Sequence, residues 1–152
     1  MKKITYLIIL ITFIFTFGIV NSQELKGKDK LIFKKAEKLT HQKKYLTAIH
    51  YYEEILKSNE HVETLMNIAD IYFISLSQKN YNKALEFYQR AESAINSAIN
   101  KNRKLEKRKK IKELKQTCTN NIKICLSHIE EFNETKKRHK AAKKRLDNDN
   151  LK

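Results

Sequence analysis

Residues 80–91, NYNKALEFYQRA, repeat the spacing of an earlier stretch, residues 44–55, KYLTAIHYYEEI. Each places a Tyr three residues before an Ala, an aromatic four residues after that Ala, and a small or aliphatic residue three further on: Tyr45, Ala48, Tyr52, Ile55 and Tyr81, Ala84, Tyr88, Ala91. Steps of three and four place these side chains on one face of an α-helix. The sequence has no Pro and only two Gly, Gly18 and Gly27, so the residues that supply hairpin turns are missing and an all-α fold is expected.

Working outward, the same period predicts four helices. The first follows Asp29 as N-cap, with Ile32, Ala36 and Leu39 on one face. The second runs from Tyr45 to Lys57, and Ser58-Asn59 caps the next. The third covers residues 60–77, with Val62, Leu65, Ala69, Tyr72 and Leu76 in register, and ends in the polar turn Gln78-Lys79-Asn80. The fourth begins at Tyr81 and carries Ala84, Tyr88, Ala91, Ile95 and Ala98.

These helices form two pairs whose markers recur 33 to 36 positions apart, Ala36 with Ala69, Tyr45 with Tyr81 and Ala48 with Ala84. With Ala69, Tyr72, Tyr81, Ala84, Tyr88 and Ala91 in place, residues 29–100 resemble two tetratricopeptide repeats. The resemblance departs from the pattern at Leu39, where an aromatic is usual, and at Ile55, where an Ala is usual. Neither repeat ends in the family's Pro, and the turn before Tyr81 is about three residues longer than normal. An ordinary antiparallel four-helix arrangement is the competing reading.

A short array needs its last apolar face covered. After the basic stretch KNRKLEKRKK, the residues Ile111, Leu114, Cys118, Ile122, Cys125, Ile129 and Phe132 form a continuous seam. This seam is expected either to close the array as a long C-terminal helix or to pair with its copy in a homodimer. Residues 101–133 are therefore read as basic linker and capping helix, and 134–152 as a frayed or disordered basic tail.

At the other end, residues 1–22, MKKITYLIILITFIFTFGIVNS, have the form of an export signal: Lys2 and Lys3, the apolar run Ile4 to Phe17, then Val20 and Ser22 as small residues before a cleavage point. The alternative is an uncleaved anchor, for which this run sits at the short end of the ~17–25 residues needed. With no Cys near the junction a lipoprotein is not expected, and the location is periplasmic or secreted. The remaining length suits one domain.

Charge is uneven along the chain. Residues 23–100 hold 12 Lys and Arg against 10 Asp and Glu, whereas residues 101–152 hold 18 against 7. Lys107, Arg108, Lys109 and Lys110, with Lys136, Lys137, Arg138, Lys143, Lys144 and Arg145, are candidates for gripping anionic envelope components. Nucleic acid is a poorer match, because no aromatic is interleaved for base stacking.

Cys118 and Cys125 lie seven apart on one predicted helix, which places their Cα atoms about 10 Å apart, beyond disulfide reach. Buried core thiols are expected, with an intermolecular disulfide as the alternative. Cys125, His128 and Glu131 lack the paired spacings of a zinc site. No Gly-rich phosphate loop or nucleophile elbow is present, so neither catalysis nor a cofactor is expected.

By resemblance, tetratricopeptide domains hold peptide segments of other proteins in a concave groove lined by the first helix of each pair. By position, that groove is lined here by Lys30, Phe33, Glu37, Thr40 and His41, then Glu63, Met66, Asp70 and Phe73. Its acids favour a basic or amide-rich partner.

Overall fold

A computed structural model describes residues 25–75 and 80–149. The leader, Leu76, Ser77 and the turn residues Gln78 and Lys79 lie outside the described residues. Those described form an all-α protein of five helices: α1 Gly27–His41, α2 Tyr45–Leu56, α3 Val62–Asp70, α4 Tyr81–Lys101 and α5 Lys109–Asp149. A π-helical turn, Ile71–Ser75, prolongs α3, and a 3₁₀ turn, Arg103–Lys107, links α4 to α5. No described helix is long and apolar enough to cross a membrane.

Consecutive helices pack on one another, α1 on α2, α3 on α4 and α4 on α5, with a lighter contact between α2 and α3. The two stretches that share a spacing occupy α2 and the start of α4. Ala36, Ala48, Ala69, Ala84 and Ala91 are fully buried, as small residues must be where helices approach closely. Tyr52 and Tyr88 fill the space beside them and are the largest fully buried side chains.

Three helix ends differ from the sequence expectation. α1 starts at Gly27, and Asp29 lies inside its first turn, where it accepts a hydrogen bond from Ser58 Oγ at 3.1 Å. The same Ser58 hydroxyl proton is shared with the Ile55 carbonyl, 2.8 Å from Oγ, so Ser58 closes α2 rather than opening α3. The cap of α3 is His61, whose Nδ1 accepts from the Thr64 N–H at 3.2 Å. An imidazole nitrogen substitutes here for the usual side-chain oxygen.

The turn from α1 to α2 closes by two nested bonds, Lys44 N–H to the Leu39 carbonyl and Lys43 N–H to the Thr40 carbonyl, each 2.9 Å. This pattern requires a left-handed residue in the middle, usually Gly. The position is taken by Lys43, at φ 59°.

The C-terminal seam covers α4 within the same chain. Ile111, Cys118 and Cys125 are buried, and Leu114 and Ile122 pack half-buried against the core. The seam thus stops short of its expected end: Ile129 is half-buried, but Phe132 is 69% exposed. The segment expected to fray is helical as far as Asp149, although every side chain described beyond Ile129 is exposed.

Candidate interaction site

A pair of tyrosine ties organises the face formed by α1, α3 and α5. The Tyr52 hydroxyl, on α2, accepts from Asn67 Nδ2 on α3 at 3.0 Å and is hydrogen-bonded to Thr40 on α1. Thirty-six residues on, the Tyr88 hydroxyl, on α4, donates to Asp70 Oδ1 on α3 and is hydrogen-bonded to Asn121 on α5. Each tyrosine joins the first helix of its own pair to the helix that follows the pair. α5 therefore stands to the second pair as α3 stands to the first.

Burial shifts the groups in these ties. Tyr52 is pushed up by desolvation, against the pull of its hydrogen bonds to Thr40 and Asn67. Tyr88 is pushed up by desolvation and by the Asp70 carboxylate beside it. Asp70 is itself raised by burial, with the bond from Tyr88 pulling the other way. Nearby, burial and then the charges of Glu92 and Asp70 push the Cys118 thiol up to about 12, and burial alone raises Cys125. Both thiols are free and buried, so neither is a reactive thiolate.

The nine residues expected to line a groove do not behave alike. Lys30 and His41 are exposed, and Glu37 is half-buried. Phe33 is half-buried, edge-on to Tyr52 at 5.5 Å and to His61 at 5.7 Å between ring centres. Thr40 turns back to the Ala36 carbonyl at 3.0 Å as well as meeting Tyr52.

The second helix of the set is turned further inward. Met66 is buried, leaving 8% of its surface exposed, and so has little apolar surface to offer a partner. Asp70 is engaged by Tyr88, and Phe73 packs edge-on against Tyr81 at 5.6 Å and Tyr88 at 6.3 Å. Glu63 is paired with Lys110 of α5. The physical reason is that α4 and α5 reach this side of α3 and its π turn, through Tyr88 and Tyr81 of α4 and Lys110 of α5.

The basic residues separate into two groups. Lys107 ends the 3₁₀ turn, Arg108 follows it, and Lys109 and Lys110 begin α5, where Lys110 is paired with Glu63 and Lys109 with Glu113 at 3.8 Å. Lys136, Lys137, Arg138, Lys143, Lys144 and Arg145 lie on the far part of the same helix, roughly 40 Å away at 1.5 Å per residue. Of these, Lys137 donates to Glu134 at 2.6 Å. The two groups cannot act as one patch.

Near the middle of α5 the His128 ring stacks on Tyr81, with centres 4.4 Å apart and planes at 18°. Its Nδ1 is 3.9 Å from Glu131 Oε2, whereas Cys125 points into the core. Among the described residues no group of three His, Cys, Asp or Glu is placed to hold a metal ion.

Asn67, Asn121 and His61 are structural participants that residue spacing did not single out. Polar residues at buried helix positions were the available signal, because each needs a partner. No family model matches the chain, and neither does any curated protein or solved structure.

Proposed function

We propose that the protein is an exported, non-catalytic interaction module built of tetratricopeptide-like helix pairs. The observation that carries this reading is the repeated tyrosine tie. Tyr52 and Tyr88 make equivalent connections, so each helix pair meets its successor in the same way, as stacked repeats do. Stacking of this kind leaves the first helices side by side on one face, where Lys30, Phe33, Glu37 and His41 remain accessible in whole or part.

The alternative, a cationic envelope protein held by polyanions along its whole basic half, is the weaker reading. Its two basic groups stand at opposite ends of α5, and the first is partly neutralised by Glu63 and Glu113.

The test is site-specific photocrosslinking in native envelopes. A crosslinker at Lys30 or His41 should capture one discrete protein, while one at the exposed Lys57, beyond the end of α2, should not. Equal capture at all three positions would remove the face from consideration. Intact mass of the envelope-extracted protein tests export: loss of residues 1–22 is the expected result.

A further inference from the structure

Beyond Ile129 every described side chain of α5 is exposed, and the residues on its core-facing side change character. At about 100° per residue, Lys136, Lys140 and Lys143 lie on the same line of the helix as Cys118, Cys125 and Ile129. Lys137 and Lys144 lie about a quarter turn away from that line, both on one side of it. The side of α5 that packs on α4 through its first half is thus a lysine face in its second half.

The position of α4 defines what can approach this face. Thr119 donates to Glu92, Asn121 meets Tyr88 and His128 stacks on Tyr81, so α4 runs antiparallel to α5 and stops at Tyr81. The lysine face begins where α4 ends, and the end of α4 stands beside its base as a wall. A second helix, about 10 Å across, matches the width of α4, on which the first half of the same face packs.

Charge selects the kind of helix. The line offers three lysines, Lys136, Lys140 and Lys143, and Asp147 lies on it only at its far end; Lys137, engaged by Glu134, and Lys144 stand about a quarter turn away. Phe132, 69% exposed at the base of this face, is the one Phe, Tyr or Trp beyond Ile129, so successive bases of a nucleic acid have no series of rings to stack on. Nor is there an apolar stripe to drive self-association. We infer that this overhang is a docking strip for an acidic α-helix of a partner protein, laid end to end with α4 and carrying Glu or Asp at i, i+4 and i+7. The strip is separate from the face formed by α1 and α3.

The experiment uses the full chain and a labelled Ala-rich helical peptide with Glu at i, i+4 and i+7, read by fluorescence anisotropy at low salt. A peptide of the same composition in scrambled order, phosphatidylglycerol vesicles and duplex DNA serve as competitors. The patterned peptide should bind better than any of the three. Lys136→Glu, Lys140→Glu and Lys143→Glu together should weaken binding at least about tenfold, while Arg138→Glu with Arg145→Glu, on the opposite side, should weaken it less than about threefold. The triple Gln variant should also bind weakly, and circular dichroism should confirm that each variant keeps its helix.

The inference is overturned if the patterned peptide does not bind, or if the two sets of reversals cost the same. Tighter binding to vesicles or DNA than to the peptide overturns it as well.

Discussion

The Tyr88 hydroxyl donates to the Asp70 carboxylate where α4 crosses α3, in a site buried enough to raise both groups above their ordinary values. A carboxylate held there is a cost at neutral pH that its hydrogen bond only partly offsets.

The sign of the pH dependence follows. Asp70 takes up a proton more readily folded than unfolded, so its contribution is fully present below the ordinary carboxylate value of 3.8 and is lost as pH rises through the higher folded value. Asp70→Asn keeps an oxygen for Tyr88 and removes the charge. Urea unfolding should show the variant more stable than the parent at pH 7, with the difference closing as pH falls toward 4. A difference that grows on acidification would contradict the assignment.

Tyr88→Phe leaves that carboxylate buried without its donor and should cost about 1.5–3 kcal/mol, the range for a hydrogen bond to a charged group. Tyr52→Phe removes only neutral partners and should cost about 0.5–1.5 kcal/mol. A double-mutant cycle of Tyr88→Phe with Asp70→Asn, measured by equilibrium unfolding, should show coupling of at least about 0.5 kcal/mol.

Lys43→Gly should stabilise the protein by about 1 kcal/mol. A left-handed conformation costs a side-chain-bearing residue about 1–2 kcal/mol, against a smaller gain in unfolded-chain freedom for Gly. Lys43 has that conformation in a turn closed by two nested bonds. The measurement is the shift in urea midpoint at constant slope, and a destabilised variant would show that the side chain of Lys43 contributes in some other way.

Cys118 and Cys125 should resist a thiol reagent at pH 8 in the folded protein and react together on unfolding. Both are free, fully buried and raised above the usual thiol range. Fast labelling of either one under native conditions would place it outside the core.

Removing residues 133–152 should change stability by less than about 0.5 kcal/mol, because no described side chain in that span is buried and exposed positions contribute little. Thermal unfolding of the truncated chain makes the comparison. A loss of several degrees would mean that the overhang supports the bundle.

Much of the fold was legible in the residues themselves. Apolar spacing located five helices, the recurrence of Tyr-x-x-Ala marked two equivalent pairs, and the seam from Ile111 pointed to a covering helix. Periodicity carries this information because one face of each helix must leave water, and that requirement is local. Helix ends were less legible. His61 replaced Ser58-Asn59 as a cap, and Lys43 took a position where Gly is usual, since several residue types meet the same local demand.

The candidate site depended on tertiary structure. No position from Val62 to Phe73 is exposed: Tyr88 and Tyr81 of α4 engage Asp70 and Phe73, and Lys110 of α5 pairs with Glu63. The basic residues read as one region until the unbroken length of α5 set them far apart. Spacing along a chain determines which side chains share a helical face. Which faces are covered is decided by the other helices, because burial and hydrogen bonding across a helix crossing depend on residues distant in sequence.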